Sequence, residues 1–202
     1  MENNKKVNSF NSCSGSGRPA VFLDRDGTLI QDHGFLHDPA QVEFFPETVP
    51  ALRHLLPYFD LFIVTNQSGV GKGLITLTDV ERINTHVTRY LNGHAIPLKE
   101  TYVCPHDRSE NCDCIKPKPY FLKKAAADYD IDLQRSWTVG DHPHDVEFGR
   151  NAGASGIYVL SGHGVKHRDE LNGNTIVVNG IKEAVEYILQ RITYSGLKSN
   201  IR

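Results

Sequence analysis

Two aspartates one residue apart, Asp24 and Asp26, close the short apolar run AVFLD (20–24) and are followed by Gly27 and Thr28. One carboxylate can attack an electrophile while a second, offset by the strand pleat, gives and takes a proton, so the pair suits covalent acid–base chemistry. Two other apolar runs end in the same way: LFIVTN (61–66) leads into Gln67, Ser68 and Gly69, and WTVGD (137–141) ends on Asp141, with Asp145 a helical turn later. This much negative charge calls for a cation. Oxygen-only ligands such as Asp24 and Asp141 suit a hard ion, and Mg2+ binds through one or two carboxylates plus a phosphate while keeping several waters. The pattern predicts a magnesium phosphate site.

A second group of residues is soft. Cys104, His106, Cys112 and Cys114 supply three sulfurs and a nitrogen with short spacers at both ends, a closed tetrahedral set for a structural Zn2+. The alternative is a patch of reduced thiols, but DRSEN (107–111) offers them no apolar cover. Disulfides do not suit the spacing: Cys112 and Cys114 are too close to bridge readily, and Cys13 is distant in sequence. Two further patterns fail. An EF-hand needs oxygen ligands where Phe22 and Thr28 stand, and QSGVGKG has Asn66 in place of the first Walker A glycine and Gly73 where Ser or Thr should follow Lys72.

These residues need a frame. Strand-like runs at 20–24, 61–66, 101–105, 137–141, 156–160 and 175–179 alternate with helical patterns, as in a parallel sheet covered on both faces. Val80, Ile83, Val87 and Leu91 recur at helical spacing behind a candidate capping box, Thr78 to Glu81. Val49, Leu52 and Leu56 form another stripe, Leu122, Ala125 and Tyr129 a third, and Ile181, Val185, Ile188 and Leu189 a fourth. All four are core faces. The fold class is therefore α/β, with a Rossmann-like three-layer parallel sheet, in which ligands collect outside the carboxyl ends of the strands. Residues 1–18, rich in Asn, Ser, Gly and Lys, form a flexible tail before one domain at 19–202. A net charge of −2 speaks against a broad nucleic-acid surface, and no apolar run is long enough to span a membrane or act as a signal peptide. A cytoplasmic monomer acting on a small molecule is expected.

VFLDRDGTL, IVTNQSG, the lysine of KPKP and VGD with a further Asp resemble, in order, the four motifs of the haloacid dehalogenase superfamily of aspartate-nucleophile phosphatases. The likeness spans roughly residues 19–160. DRDGT, the DHGF segment (Asp32, His33, Gly34, Phe35), TNQSG and the Cys-Pro-His cluster are further similar to the D-glycero-D-manno-heptose 1,7-bisphosphate phosphatases and the related histidinol-phosphate phosphatases. The resemblance implies that Asp24 attacks phosphorus to form an aspartyl-phosphate, and that Asp26 protonates the leaving oxygen and then activates water. It implies that Thr65 and Asn66 hold phosphoryl oxygens, that Lys116 neutralises their charge, and that Asp24, the Asp26 carbonyl and Asp141 ligate magnesium, with Asp145 orienting the site. Asp32, His33, Gly34, Phe35, Asn66, Gln67, Ser68, Ile115 and His142 then fall to substrate binding. The expected substrate is the heptose 1,7-bisphosphate, cleaved at C7, with histidinol phosphate second and a non-catalytic zinc- and phosphate-binding module third.

Two positions depart from the resemblance. Ile115 stands where many relatives carry an Arg that recognises substrate, and His142 stands where a lysine often follows the aspartate. A butyl group cannot replace a guanidinium fork. Either another cation, Arg25, Lys72 or Lys118, takes the distal phosphate, or the substrate lacks one. About forty residues between the first two motifs leave no room for a large cap domain, so DHGF, QSGVGKG and the zinc loop should wall an open cleft.

Overall fold

The computed structural model describes residues 17–199. Its strands are β1 (Ala20–Leu23), β2 (Asp60–Asn66), β3 (Glu100–Cys104), β4 (Trp137–Gly140), β5 (Ser155–Val159) and β6 (Ile176–Val178). Its helices are α1 (Thr48–Leu55), the one-turn α2 (Ser68–Gly71), α3 (Leu77–Gly93), α4 (Tyr120–Tyr129), α5 (Pro143–Asn151) and α6 (Ile181–Ser199). The sheet runs β3-β2-β1-β4-β5-β6 and every neighbouring pair is parallel. The chain starts at the middle of the sheet and builds outward both ways, which opens a crevice at the carboxyl end of β1.

Successive strand residues face opposite layers. Val21, Leu23, Leu61 and Ile63 pack with Leu52 and Leu55 of α1, Ile83 and Val87 of α3, and Val185 and Ile188 of α6. Ala20, Phe22, Phe62 and Val64 pack with Leu122 and Ala125 of α4 and Phe148 of α5. The Phe22 and Phe62 rings stack at 4.9 Å across β1 and β2. Burying each such side chain stabilises the fold by about 1.5–3 kcal/mol, so the two layers fix the strand ends firmly. This is the expected three-layer sheet. Between β1 and β2 lie only a short 3-10 turn, Pro39–Gln41, and α1, so no cap domain intervenes.

Two local readings need adjustment. The capping box of α3 is Thr76 with Asp79, not Thr78 with Glu81: Asp79 N donates to Thr76 Oγ1 at 3.1 Å, and Thr76 N to Asp79 Oδ2 at 2.9 Å. Thr76 is the extended residue outside the helix, and Thr78 already lies within its first turn. Residues 1–16 of the expected tail lie outside the described residues, but Arg18 is anchored, bridging to Ile131 and pairing with Asp60 at 3.2 Å. The helix α5 showed no stripe because PHDVEFGRN is too polar to set a period; it nevertheless buries Val146 and Phe148 against the sheet.

Candidate active site

Lys116 lies at the centre of the crevice with only 5% of its side chain exposed. Its Nζ donates to Asp24 Oδ1 at 2.6 Å, Asp145 Oδ1 at 2.5 Å and the Val64 carbonyl at 2.9 Å. Burial opposes the ammonium charge, but Asp145 and Asp24 outweigh it and hold the lysine above its ordinary pKa. Lys116 is therefore a buried, ion-paired residue and not a solvated surface lysine. For Asp24 burial acts first and upward, Lys116 pulls down, and Asp145, Asp141 and Asp26 push up, leaving it well above the carboxylate range. Asp141, raised by burial and by Asp145, is pushed up to about 7. One lysine does not balance this cluster.

Asp141 is reached from two directions. Gly27 has φ 78°, and a Cβ on it would collide with the Asp141 carboxylate, so only glycine permits both the turn after Asp26 and this approach. From the segment after β5, His163 N donates to Asp141 Oδ2 at 2.7 Å and Ser161 Oγ donates to the Gly27 carbonyl at 2.7 Å. Residue types alone do not mark this segment, because backbone donors leave no trace in the sequence. Asp145 has both oxygens committed, Oδ1 to Lys116 and Oδ2 to the His142 amide at 3.0 Å. Asp24 and Asp141 are the carboxylates left for a cation, with Asp145 beside them: an oxygen from each of the three lies within 4.8 Å of the others. An all-oxygen donor set with excess negative charge fits a hard divalent ion.

The Asp26 carboxylate is clasped rather than free. Arg25 donates through Nε at 3.0 Å and a terminal nitrogen at 3.1 Å, and Gln67 Nε2 donates to Oδ2 at 2.8 Å. Gln67 also donates to Thr65 Oγ1 at 2.8 Å. Asn66 Oδ1 accepts from the Lys116 amide at 3.2 Å and so fixes where the lysine enters.

A cavity of about 320 Å³ opens over these groups. Asp24, Asp26, Thr65, Asn66, Lys116 and Asp141 line it, as do Asp32, Ser68, Ile115 and His142 of the expected substrate contacts. His33, Gly34, Phe35 and Gln67 do not reach its wall. His33 faces Glu43 at 4.0 Å, and Phe35 covers Gly69 from the side, where a glycine Cβ would strike its ring. Gln67 is buried beneath, where it orders Asp26 and Thr65. His142 caps α5, its Nδ1 accepting from His144 N at 3.2 Å, and burial lowers its pKa. Lys72, one of the cations offered from sequence for a distal phosphate, lines the cavity, as do Arg108 and His144, which sequence reasoning did not single out. A larger hollow of about 580 Å³ between α3 and β3 contains none of the acidic strand-end residues.

The cysteine cluster lies behind one wall. The sulfurs of Cys104, Cys112 and Cys114 are 3.1–3.6 Å apart, and His106 Nδ1 is 3.4 Å from Cys114 Sγ and 3.8 Å from Cys104 Sγ. Sulfurs at about 2.3 Å from a tetrahedral zinc would sit about 3.8 Å from one another. The four ligand atoms are thus gathered nearly as a metal would hold them. Burial raises the Cys104 thiol, as does its contact with Cys114.

The family profile described as HAD-hydrolase-like matches residues 113–184. The D-glycero-β-D-manno-heptose-1,7-bisphosphate 7-phosphatase of Pasteurella multocida is 32% identical over 194 residues, covering 90% of this chain and 100% of that protein. The enzyme of the same name from Helicobacter pylori is 32% identical over 171 residues, covering 84% and 96%. Among solved structures, a D,D-heptose 1,7-bisphosphate phosphatase from B. bronchiseptica, complexed with magnesium and phosphate, superposes with a TM-score of 0.78 at 29% identity, covering 86% of this chain and 99% of that one.

Proposed function

The chain belongs to the family of HAD-like phosphatases that includes the heptose-1,7-bisphosphate 7-phosphatases, and on that premise we propose that it hydrolyses the C7 phosphate of D-glycero-D-manno-heptose 1,7-bisphosphate with Asp24 as nucleophile. The observation that carries the assignment of roles is the buried Lys116 bonded to both Asp24 and Asp145 beside Asp141. An Asp24 oxygen forms a bond to phosphorus while the bond from phosphorus to the sugar oxygen breaks, and Asp26 supplies the proton that oxygen takes up. Water then attacks the aspartyl-phosphate, its proton passing back to Asp26, which releases phosphate and restores Asp24. Because Asp26 rests against Arg25 and Gln67, leaving that clasp is what frees it for proton transfer. Lys116 and Asn66 stabilise the equatorial oxygens, the electrostatic contribution that dominates phosphoryl transfer. Asp24 and Asp141, with the Asp26 carbonyl, would hold magnesium, which would supply the positive charge that lets a carboxylate approach a phosphate. Asp145 holds Lys116 in line. The cysteine cluster fits zinc as a closed structural site with no position for substrate.

The test is turnover of purified protein with Mg2+ on the heptose bisphosphate, histidinol phosphate and a generic aryl phosphate. Release of the C7 phosphate is the expected result. Preference for histidinol phosphate would replace the substrate, and full activity in Asp24→Asn would overturn the mechanism.

A further inference from the structure

Ile115 leaves the cavity wall uncharged where a second phosphate group would need a cation. The candidates can be sorted by what they already hold. Arg25 is 1% exposed, and its guanidinium is used up by the Asp26 carboxylate and by Asn84 Oδ1 at 2.7 Å. Lys118 points into the cysteine loop, where its Nζ donates to the Cys112 carbonyl at 2.8 Å and to Asn111. Lys116 is bound to Asp24 and Asp145. Neither Arg25 nor Lys118 lines the cavity; Lys72 and Arg108 do.

These two cations come from different loops that the fold presses together. Lys72 follows α2, and Arg108 opens the short turn inside the cysteine loop. Gly71 N donates to the Pro105 carbonyl at 2.9 Å, and a Cβ on Gly71 would run into Asp107 and Glu110, so α2 lies flush against the loop. Lys72 Nζ then comes to 3.6 Å from Asp107 Oδ1, next to Arg108. Across the cavity His144 Nδ1 lies 2.7 Å from an Arg108 terminal nitrogen. Burial lowers the His144 pKa to about 4, so the ring adds no second positive charge beside Arg108. Arg108 is therefore aimed and still able to pair with an anion.

We propose that Arg108, braced by His144 and joined by Lys72, is the specificity-determining cation that takes the distal phosphate of a bisphosphate substrate in place of the missing arginine at 115. This rests on the phosphatase assignment above. A guanidinium supplies a bidentate fork to a phosphate and lysine a point charge, so Arg108 sets the geometry and Lys72 adds attraction. A metal bound at the cysteine cluster would then also serve selectivity, by fixing the loop that carries Arg108.

The experiment compares kcat/KM for the heptose 1,7-bisphosphate with that for the corresponding 7-monophosphate, in wild type, Arg108→Ala, Arg108→Lys and Arg108→Ala combined with Ile115→Arg. Losing a charge-assisted pair should lower the bisphosphate-to-monophosphate ratio by about tenfold to a hundredfold in Arg108→Ala, mainly through KM. Arg108→Lys should recover part of the ratio and the double variant more. An unchanged ratio, or equal loss on both substrates, overturns the proposal while leaving the phosphatase assignment intact. A wild type that does not distinguish the two substrates also overturns it. Loss of the assignment itself would show differently, as no turnover of either ester by wild type.

Discussion

Asp24, Asp141 and Asp145 reach their places from the ends of β1 and β4 and the first turn of α5, elements that bury an apolar layer on each side. Cys104, His106, Cys112 and Cys114 extend from the end of β3 through a polar loop whose regular structure is one three-residue turn, Arg108–Glu110. The oxygen cluster is thus positioned by the fold and strained by its own charge. The sulfur cluster carries little strain in charge and has little core to position it. A metal at the first relieves repulsion in a frame that already exists; a metal at the second makes the frame. Substitutions should therefore separate chemistry from structure in opposite senses at the two places.

The largest effect should come from Asp24→Asn. Removing the proposed nucleophile should lower kcat by about 10^4-fold or more. Circular dichroism and thermal unfolding should show an intact fold at least as stable as wild type, since one of several crowded carboxylates has gone. An unfolded variant would mean that the acidic cluster holds the crevice together, and the contrast between the two regions would fail.

Next is Lys116→Met, which removes the counter-charge shared by Asp24 and Asp145. Activity should fall about 10^3-fold with loss of transition-state stabilisation. Leaving buried carboxylates unpaired should also cost about 3 kcal/mol of stability, read as a shift of the denaturation midpoint. A variant as stable as wild type would show that the two aspartates protonate at no cost.

A smaller effect, and the reverse pattern, is expected in the loop. Elemental analysis should find zinc near one per chain, and Cys112→Ser should remove it. Hydrogen exchange should then rise through 104–118 while the sheet stays protected, and kcat should drop by about tenfold because Lys116 is less well placed. Protein purified without zinc and with the loop protected would sink the metal clip.

What could be read from residue order follows the same division. The strand ends were legible because apolar runs stop abruptly at acidic or amide residues, and the four soft ligands because few other reasons gather Cys and His in a polar loop. What sequence could not show is direction. Arg25 and Lys118 carry the same charge as Arg108, and only packing turns Arg25 onto Asp26, Lys118 onto the Cys112 carbonyl and Arg108 into the cavity. His33 and Phe35 fit a binding segment by type, yet of that segment it is Asp32 that reaches the wall. The amide of His163 on Asp141 belongs to no residue type at all.

The smallest effect should be one of pH on magnesium binding, and it sharpens the contrast because it depends on a frame that persists without metal. The Asp141 carboxyl is raised from the ordinary 3.8 to about 7 by burial and by Asp145, and Asp24 is raised in the same direction by burial and its acidic neighbours. A raised carboxyl means that the folded state holds a proton the unfolded state has released. Stability from this source is full below pH about 4 and is lost as pH climbs through about 7. Magnesium competes for the same oxygens, so its benefit grows over the interval in which the proton leaves. In thermal unfolding, millimolar Mg2+ should raise Tm by about 5 °C at pH 8 and by little at pH 5, a shift of the size expected for a ligand well above its Kd. Asp141→Asn should flatten the dependence on pH and on Mg2+ together. If Mg2+ stabilised equally at both pH values, the carboxylates would already be ionised in the metal-free fold, and the charge strain assigned to the crevice would be absent.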